Sequence, residues 1–246
     1  MAQAKPKIIW ENKEMLALDK PAGLRIHDDG RERKKSELTL VDWLLKHNPG
    51  LESIGPPFPT DNGKTISRAG IAHRLDKDTS GIMLVAKEQA AFDQLQKQFQ
   101  DYQVRKTYRL LVYGNIEGDN GIIDRPIGRS RHDPRRRVAT KKAVGQLREA
   151  STAYHVLERF YKDEPYTYLE AAPRTGRTHQ LRVHLQALGH PVVGDKLYAP
   201  GRSSPADLER QALHAYSLKF ASSEGQTEEL IAELPADFKA ALDSLR

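Results

Sequence analysis

Asp76 lies in "HRLDKDTSG" (73–81), between Arg74 and Lys77 and just ahead of "IMLV" (82–85), an apolar run that reads as a buried strand. An acid among bases at the edge of a core is the first candidate for chemistry. Its plain alternative is a turn anchor bonded to Thr79 and Ser80, or a partner for Lys77. The rest of the chain narrows the choice by exclusion. There is no cysteine, which removes a thiol nucleophile, thiolate metal sites and disulfides together. The patterns G-x-x-x-x-G-K-[ST], G-x-G-x-x-G, H-E-x-x-H and G-x-S-x-G are absent. His179 and His184, both on an expected helix, point about 140° away from each other and make a poor metal pair. Each is expected to pack or hydrogen-bond, and Ser80 reads as a turn residue beside Gly81. What remains is Asp76 together with Arg, Lys and Tyr side chains in blocks far apart in sequence.

Those blocks need a core to hold them, and 246 residues at 38% hydrophobic content suffice for one large or two small domains. The opening "MAQAKPKIIWENKEM" lacks the apolar stretch of a signal peptide, and no segment approaches the roughly 20 apolar residues of a membrane span. A soluble, cytoplasmic protein is expected. Net charge is +6, yet segment 125–148 alone carries nine Lys/Arg against the single acid Asp133, a balance of +8 that leaves −2 for the remainder. Gly128, Pro134 and Gly145 mark this segment as a long loop or hairpin. Such runs are often no more than solvated charge, but a polycation flanked by strands also suits the neutralisation of nucleic-acid phosphates.

The positioning elements are mostly strands. "MLALDKP" (15–21) reads as a short strand stopped by Pro21 and Gly23, and "TLVDWLLKHN" (39–48) as a helix with Thr39 at its N-cap. Residues 49–70 read as a loop, and "EQAAFDQLQKQFQ" (88–100) as a helix burying Phe92, Leu95 and Phe99. "KTYRLLVYG" (106–114), "STAYHVLERF" (151–160) and "YTYLEAAP" (166–173) read as strands, the last two joined by a hairpin-like turn, "YKDEP". "RTHQLRVHLQALGHP" (177–191) reads as a helix closed by Gly189 and Pro191. Consecutive strands with short turns favour an antiparallel or mixed sheet over a doubly wound one.

"HRLDKDTSG" (73–81), "KTY" (106–108) and "TGRTHQLRVHLQALGHPVVGDKLY" (175–198) resemble the signature blocks of the RluA family of RNA pseudouridine synthases. "LALDKPAGL" (16–24) is similar to the family's Lys-Pro-x-Gly segment, and "ALHAYSLKF" (212–220) with "ELPADF" (233–238) to its C-terminal strand and exit. The resemblance implies an α+β pseudouridine synthase fold over 1–246, one catalytic domain whose mixed, mainly antiparallel sheet is flanked by helices and loops around a cleft. The basic segment 125–148 would be an insertion in it. It also implies an isomerase that needs no cofactor or metal. The enzyme detaches a uridine base in RNA, turns it, and rejoins it through carbon 5.

On this resemblance Asp76 is the nucleophile, at the ribose or at carbon 6 of the ring, and Arg182 is the arginine that pairs with it and keeps it ionised. Tyr108 lies against the target base as a candidate proton acceptor from carbon 5. Arg74 fills the gap left when the uridine flips out of its stack. His73, Lys106, Arg177, Arg135, Arg136 and Arg137 are expected to contact RNA, whereas Lys20 is as readily a structural ion-pair former, and Asp195 reads as structural. Each assignment has a plainer competitor: a turn acid, a strand tyrosine, a surface helix arginine. The Lys-Pro-x-Gly block arrives at Lys20, leaving no room for the family's small N-terminal RNA-binding module, so affinity is expected to rest on the catalytic domain. Loops 27–35 and 198–211 have no assigned role. The expected substrate is a stem-loop of rRNA or tRNA and the expected state a monomer. The competing readings are a non-catalytic RNA-binding module and, from another reaction class, a carboxylate glycosidase, which needs a second acid at the bond.

Overall fold

The computed structural model describes residues 4–27, 37–59, 63, 65–140, 143–161, 164–222 and 225–246. In chain order the elements begin with β1 (Lys7–Glu11), β2 (Met15–Lys20), α1 (Leu40–His47), β3 (Phe58–Pro59), β4 (Thr65–Ile66), β5 (Ser80–Ala86) and α2 (Gln89–Gln100). They continue with β6 (Arg105–Tyr113), β7 (Asn120–Asp124), β8 (Ile127–Ser130), β9 (Arg137–Val138), β10 (Ala143–Arg148), β11 (Ser151–Tyr161) and β12 (Pro165–Pro173). The last are α3 (Gln180–Ala187), β13 (Leu213–Ala221), β14 (Thr227–Ile231) and α4 (Ala236–Asp243). The class is α+β, and the described ladders are antiparallel. The chain forms two compact units, Met1–Val104 with Ser217–Ala232, and Arg105–Tyr216 with Glu233–Arg246.

In the first unit β2 pairs with β1 on one side and β5 on the other, in the register Met15↔Ala86 to Lys20↔Gly81. Every residue of β5 is buried, which is why "IMLV" shows no alternation. Helix α1 starts where its sequence signal places it: Thr39 accepts from the Asp42 N–H while the Asp42 carboxylate accepts from the Thr39 N–H, a reciprocal capping box. Helix α2 buries Phe92 and Leu95 as its spacing requires. Phe99 departs from that expectation. It stays half-buried and stacks on His73 at 4.4 Å between centroids. Gln98 is buried instead, its amide exchanging both hydrogen bonds with the Ala221 backbone at 2.8 and 2.9 Å. Residues 49–70 are not simply a loop. They hold a short 3-10 turn, Pro49–Ser53, and the β3–β4 hairpin, because Asn48 caps the turn and Phe58 pairs with Ile66. Ser80 is the buried first residue of β5 rather than a turn residue.

The Lys-Pro-x-Gly segment acts as a clamp within this unit. Lys20 has no exposed surface, and its ammonium donates to the carbonyls of Pro21, Leu24 and Lys77 at 2.9, 3.0 and 2.9 Å. The Gly23 N–H donates to the same Lys77 carbonyl at 3.0 Å, from a backbone at φ +81° that disfavours a side chain at this position. Lys77 is therefore gripped twice at one carbonyl, inside the turn closed by the Thr79 N–H on the Asp76 carbonyl. Lys20→Met keeps the aliphatic stem but removes the ammonium from the Pro21 and Leu24 carbonyls and leaves the Lys77 carbonyl with the Gly23 N–H alone. It is expected to cost about 2–3 kcal/mol, read as a lower urea midpoint at unchanged slope. An unchanged midpoint would show that those carbonyls are satisfied without the ammonium.

In the second unit β12 lies between β6 and β11, and β7 pairs with the outer side of β11. Leu110, Leu111, Val112 and Tyr113 of β6 enter a core shared with Leu169, Leu181, Leu185 and Phe238. The β11–β12 hairpin is present as expected, but Lys162 and Asp163 of its turn lie outside the described residues. Segment 125–148 is neither loop nor simple hairpin: β8 pairs with β10 on one side and β9 on the other, a small three-stranded sheet. Its underside has a core of its own, Ile127, Ala139, Ala150, Val183 and Tyr198. Helix α3 begins later than expected, at Gln180, because Arg177–His179 form a turn and His179 caps the helix in the left-handed conformation at φ +57°. Residues 233–238, the exit after the C-terminal strand, lead into α4.

Candidate active site

Asp76 follows the Lys20 clamp and precedes β5, in the first unit. Leu75 is buried while Arg74 is exposed and Asp76 half-buried, so the two charged side chains flank an anchoring apolar one. His73 is fixed more firmly than a surface ligand would be. Its Nε2 accepts the Leu84 N–H of β5 at 2.8 Å, which places the ring proton on Nδ1, and its face lies on Phe99. His73 thus joins the Asp76 turn to both β5 and α2.

The second unit carries Lys106, Tyr108, Arg177 and Arg182. Lys106 and Tyr108 share one face of β6, being two residues apart, and Tyr108 packs its ring against the unit's core. Burial lowers the Lys106 ammonium to a pKa of about 8, and its Nζ reaches the Thr175 carbonyl at 3.2 Å. Arg177 donates from Nε to the Glu149 carbonyl at 3.0 Å.

Arg182 is a buried arginine with a buried partner. Its Nε and Nη2 form a fork onto Asp195 at 2.6 and 2.9 Å, and Asp195 also accepts the N–H groups of Leu197 and Tyr198, both at 3.0 Å. A carboxylate with four such bonds is spent on geometry, so Asp195 is structural, as its sequence context suggests, and what it does is aim Arg182. Tyr198 supports the pair from the side. The Arg182 guanidinium lies 5.0 Å from its ring centre. The Tyr198 hydroxyl accepts from the Arg137 N–H at 2.9 Å and sits 3.0 Å from His179 Nδ1.

Gln180 is a functional support that no sequence pattern announced. Buried at the start of α3, it uses all four positions of its amide: Oε1 accepts from Thr175 Oγ1 and the Arg177 N–H, and Nε2 donates to the Ser151 carbonyl and Thr152 Oγ1. Thr152 then meets His184 Nδ1 at 2.9 Å while His184 Nε2 donates to the Arg125 carbonyl, so His184 is neutral and structural, with burial lowering its pKa. A glutamine two residues before Arg182 was the available signal; nothing local in sequence says that it faces inward.

The basic segment is more internally committed than its charge count suggests. Arg135 pairs bidentately with Asp133, holding that carboxyl down to about 2. Arg136 lies 5.2 Å from the Tyr198 ring centre, and Arg137 Nη1 donates to the Pro134 and Arg136 carbonyls. Arg129, Arg131 and Arg148 are exposed and, among the described residues, have no side-chain partner; Lys141 and Lys142 lie outside those residues, as do 28–35 of the loop after His27. Among the described residues no group of three or more His, Asp or Glu could hold a metal ion.

Comparison with known proteins converges with this geometry. Residues 14–187 match the family model described as RNA pseudouridylate synthase. The chain is 42% identical to the ribosomal large subunit pseudouridine synthase D of Nitrosomonas europaea, covering 100% of this chain and 67% of that protein. It is 36% identical to the protein of the same name from Pseudomonas aeruginosa, over 98% of this chain and 72% of that one. The solved human RNA pseudouridylate synthase domain containing 1 superposes with a TM-score of 0.74 at 28% identity, covering 96% of this chain and 87% of that structure. The chain belongs to the RluA family of RNA pseudouridine synthases, isomerases that convert uridine to pseudouridine in RNA.

Proposed function

We propose that this synthase modifies ribosomal large-subunit RNA, with Asp76 as nucleophile, Arg182 as the cation that keeps it ionised, and Tyr108 against the target base. The observation that carries the reading is the preparation of two side chains in family blocks. The Asp76 turn is gripped by Lys20 and Gly23, and Arg182 is aimed by a buried carboxylate that asks nothing of the substrate. Preorganised charge of this kind is what stabilises a developing charge without rearrangement at the moment of reaction. The ribosomal target is supported by the names of the relatives from Nitrosomonas europaea and Pseudomonas aeruginosa. A glycosidase has less support: Asp195, the one further acid in the blocks that stands out for that role, is fully engaged.

Incubated with large-subunit rRNA tritiated at uridine carbon 5, the protein is expected to release tritium to water without free uracil. Asp76→Asn is expected to abolish release, at least about 10³-fold, with RNA binding retained. Release by the folded asparagine variant would remove Asp76 from the nucleophile role.

Lys106 gives the pH dependence. An ammonium contacting phosphate binds RNA in its protonated form, and burial places its titration near 8 rather than above 10. RNA affinity is expected to fall as pH rises from 7 to 9, and Lys106→Gln to bind more weakly at pH 7 with that fall removed. A wild-type affinity flat across this range would exclude Lys106 from the RNA contact.

For the basic sheet, phosphate contact is assigned to Arg129 and Arg131 ahead of the internally paired Arg135. The double replacement R129A/R131A is expected to make the plot of log affinity against log salt shallower by about 1.5–2, and R135A by less than one. The opposite ranking would return phosphate binding to the Arg135 turn.

A further inference from the structure

Beside Arg74, within the first unit, lies a cavity of about 90 Å³ that the chemistry above does not use. It is several times the roughly 10–15 Å³ that one water demands. Its walls are apolar at Ile26, Val41, Ile66 and Ile71, with the Phe58 and His27 rings 5.0 Å apart between centroids. The Arg68 guanidinium stands 5.3 Å from the Phe58 ring centre, and His73 and Arg74 close the side toward Asp76. Among the described residues no acid lines it.

An apolar cavity lined by the Phe58 and His27 rings and by the cations Arg68 and Arg74, with no carboxylate in its described lining, suits one class of occupant: a planar ring carrying a phosphate. Single-stranded RNA supplies such groups where bases are unstacked, and proteins hold them on aromatic rings and arginine planes. We propose that this cavity receives an unstacked base neighbouring the target uridine in the same RNA. The inference rests on the RNA-modifying reading. It adds to it a specificity subsite formed by Phe58, His27 and Arg68, separate from the reacting groups. The location supports it, since Arg74 lines the cavity and a single buried residue separates Arg74 from Asp76 in the chain, which puts this wall next to the proposed nucleophile's segment.

Two measurements on the full chain test it. Ultraviolet irradiation with total RNA lacking the modification, followed by nuclease digestion and peptide mass mapping, is expected to give a nucleotide adduct at Phe58 or His27. Phe58→Leu, which keeps an apolar side chain but removes the ring, is expected to raise KM for tritium release roughly 5- to 100-fold with kcat within about twofold, and Phe58→Trp to restore KM. If wild-type protein releases tritium while Phe58→Leu keeps its KM and adducts map elsewhere, the subsite is overturned and the enzyme reading stands. If wild-type protein releases none, the enzyme reading fails, and the adduct map alone then decides whether this wall binds a base. The irradiation uses unaltered protein, so a folding defect in Phe58→Leu leaves the inference testable.

Discussion

The Lys20 ammonium is the interaction on which the Asp76 turn depends. A fully buried cation is costly unless its donors are matched, and here three backbone carbonyls match them while the carbonyl dipoles supply the compensating charge. One of those carbonyls belongs to Lys77, the residue after Asp76, so the energy that keeps the ammonium buried also fixes the backbone beside the proposed nucleophile.

Arg182 answers the same problem with the opposite device. A long flexible side chain must be held still if its charge is to act in a reaction, and the Asp195 fork does so by occupying Nε and Nη2 in the one geometry that suits both planes. The arrangement is stable because Asp195 is itself satisfied by two N–H groups of the turn that follows, so no buried charge is left uncompensated. Tyr198 then ties this pair to the basic sheet. Arg136 and Arg182 both lie near its ring, Arg137 donates to its hydroxyl, and Ile127, Ala139 and Val183 pack with it in one core. The sheet and α3 are thereby a single packed body, and the sheet's exposed arginines are displayed from a rigid base.

Legibility in the sequence followed the range of the interactions. The capping box at Thr39 and Asp42 and the apolar run of β5 are decided by neighbours three or four residues away at most, and each formed where the pattern placed it, whereas β6 formed as a strand but buries Leu110 to Tyr113 consecutively instead of alternating. Asp76 and Arg182 stood out because they sit in long distinctive blocks, and Tyr108 because its short block "KTY" falls in order between them. The supports did not. Lys20 reaches a carbonyl 57 residues later and Gln180 reaches back 28 and 29, and in neither case does the residue type say whether its partner is a carboxylate, a carbonyl or solvent. His179 lies ahead of the helix rather than within it for a related reason: a non-glycine residue at φ +57° is disfavoured locally, and the contact with Tyr198, nineteen residues away, helps to hold it there.

The basic segment shows why counting charges overstates a binding surface. Nine cations in 24 residues repel one another, and β8 and β9 bring Arg129 directly opposite Arg137. Folding relieves the strain selectively: Asp133 neutralises Arg135, Tyr198 takes Arg136, and Arg137 turns onto two carbonyls of its own chain. The arginines left facing solvent are the ones whose repulsion the protein has not relieved, and a polyanion relieves it on binding. The phosphate contact proposed for Arg129 and Arg131 follows from this: with Arg148 they are exposed and, among the described residues, have no side-chain partner, unlike the densest part of the run.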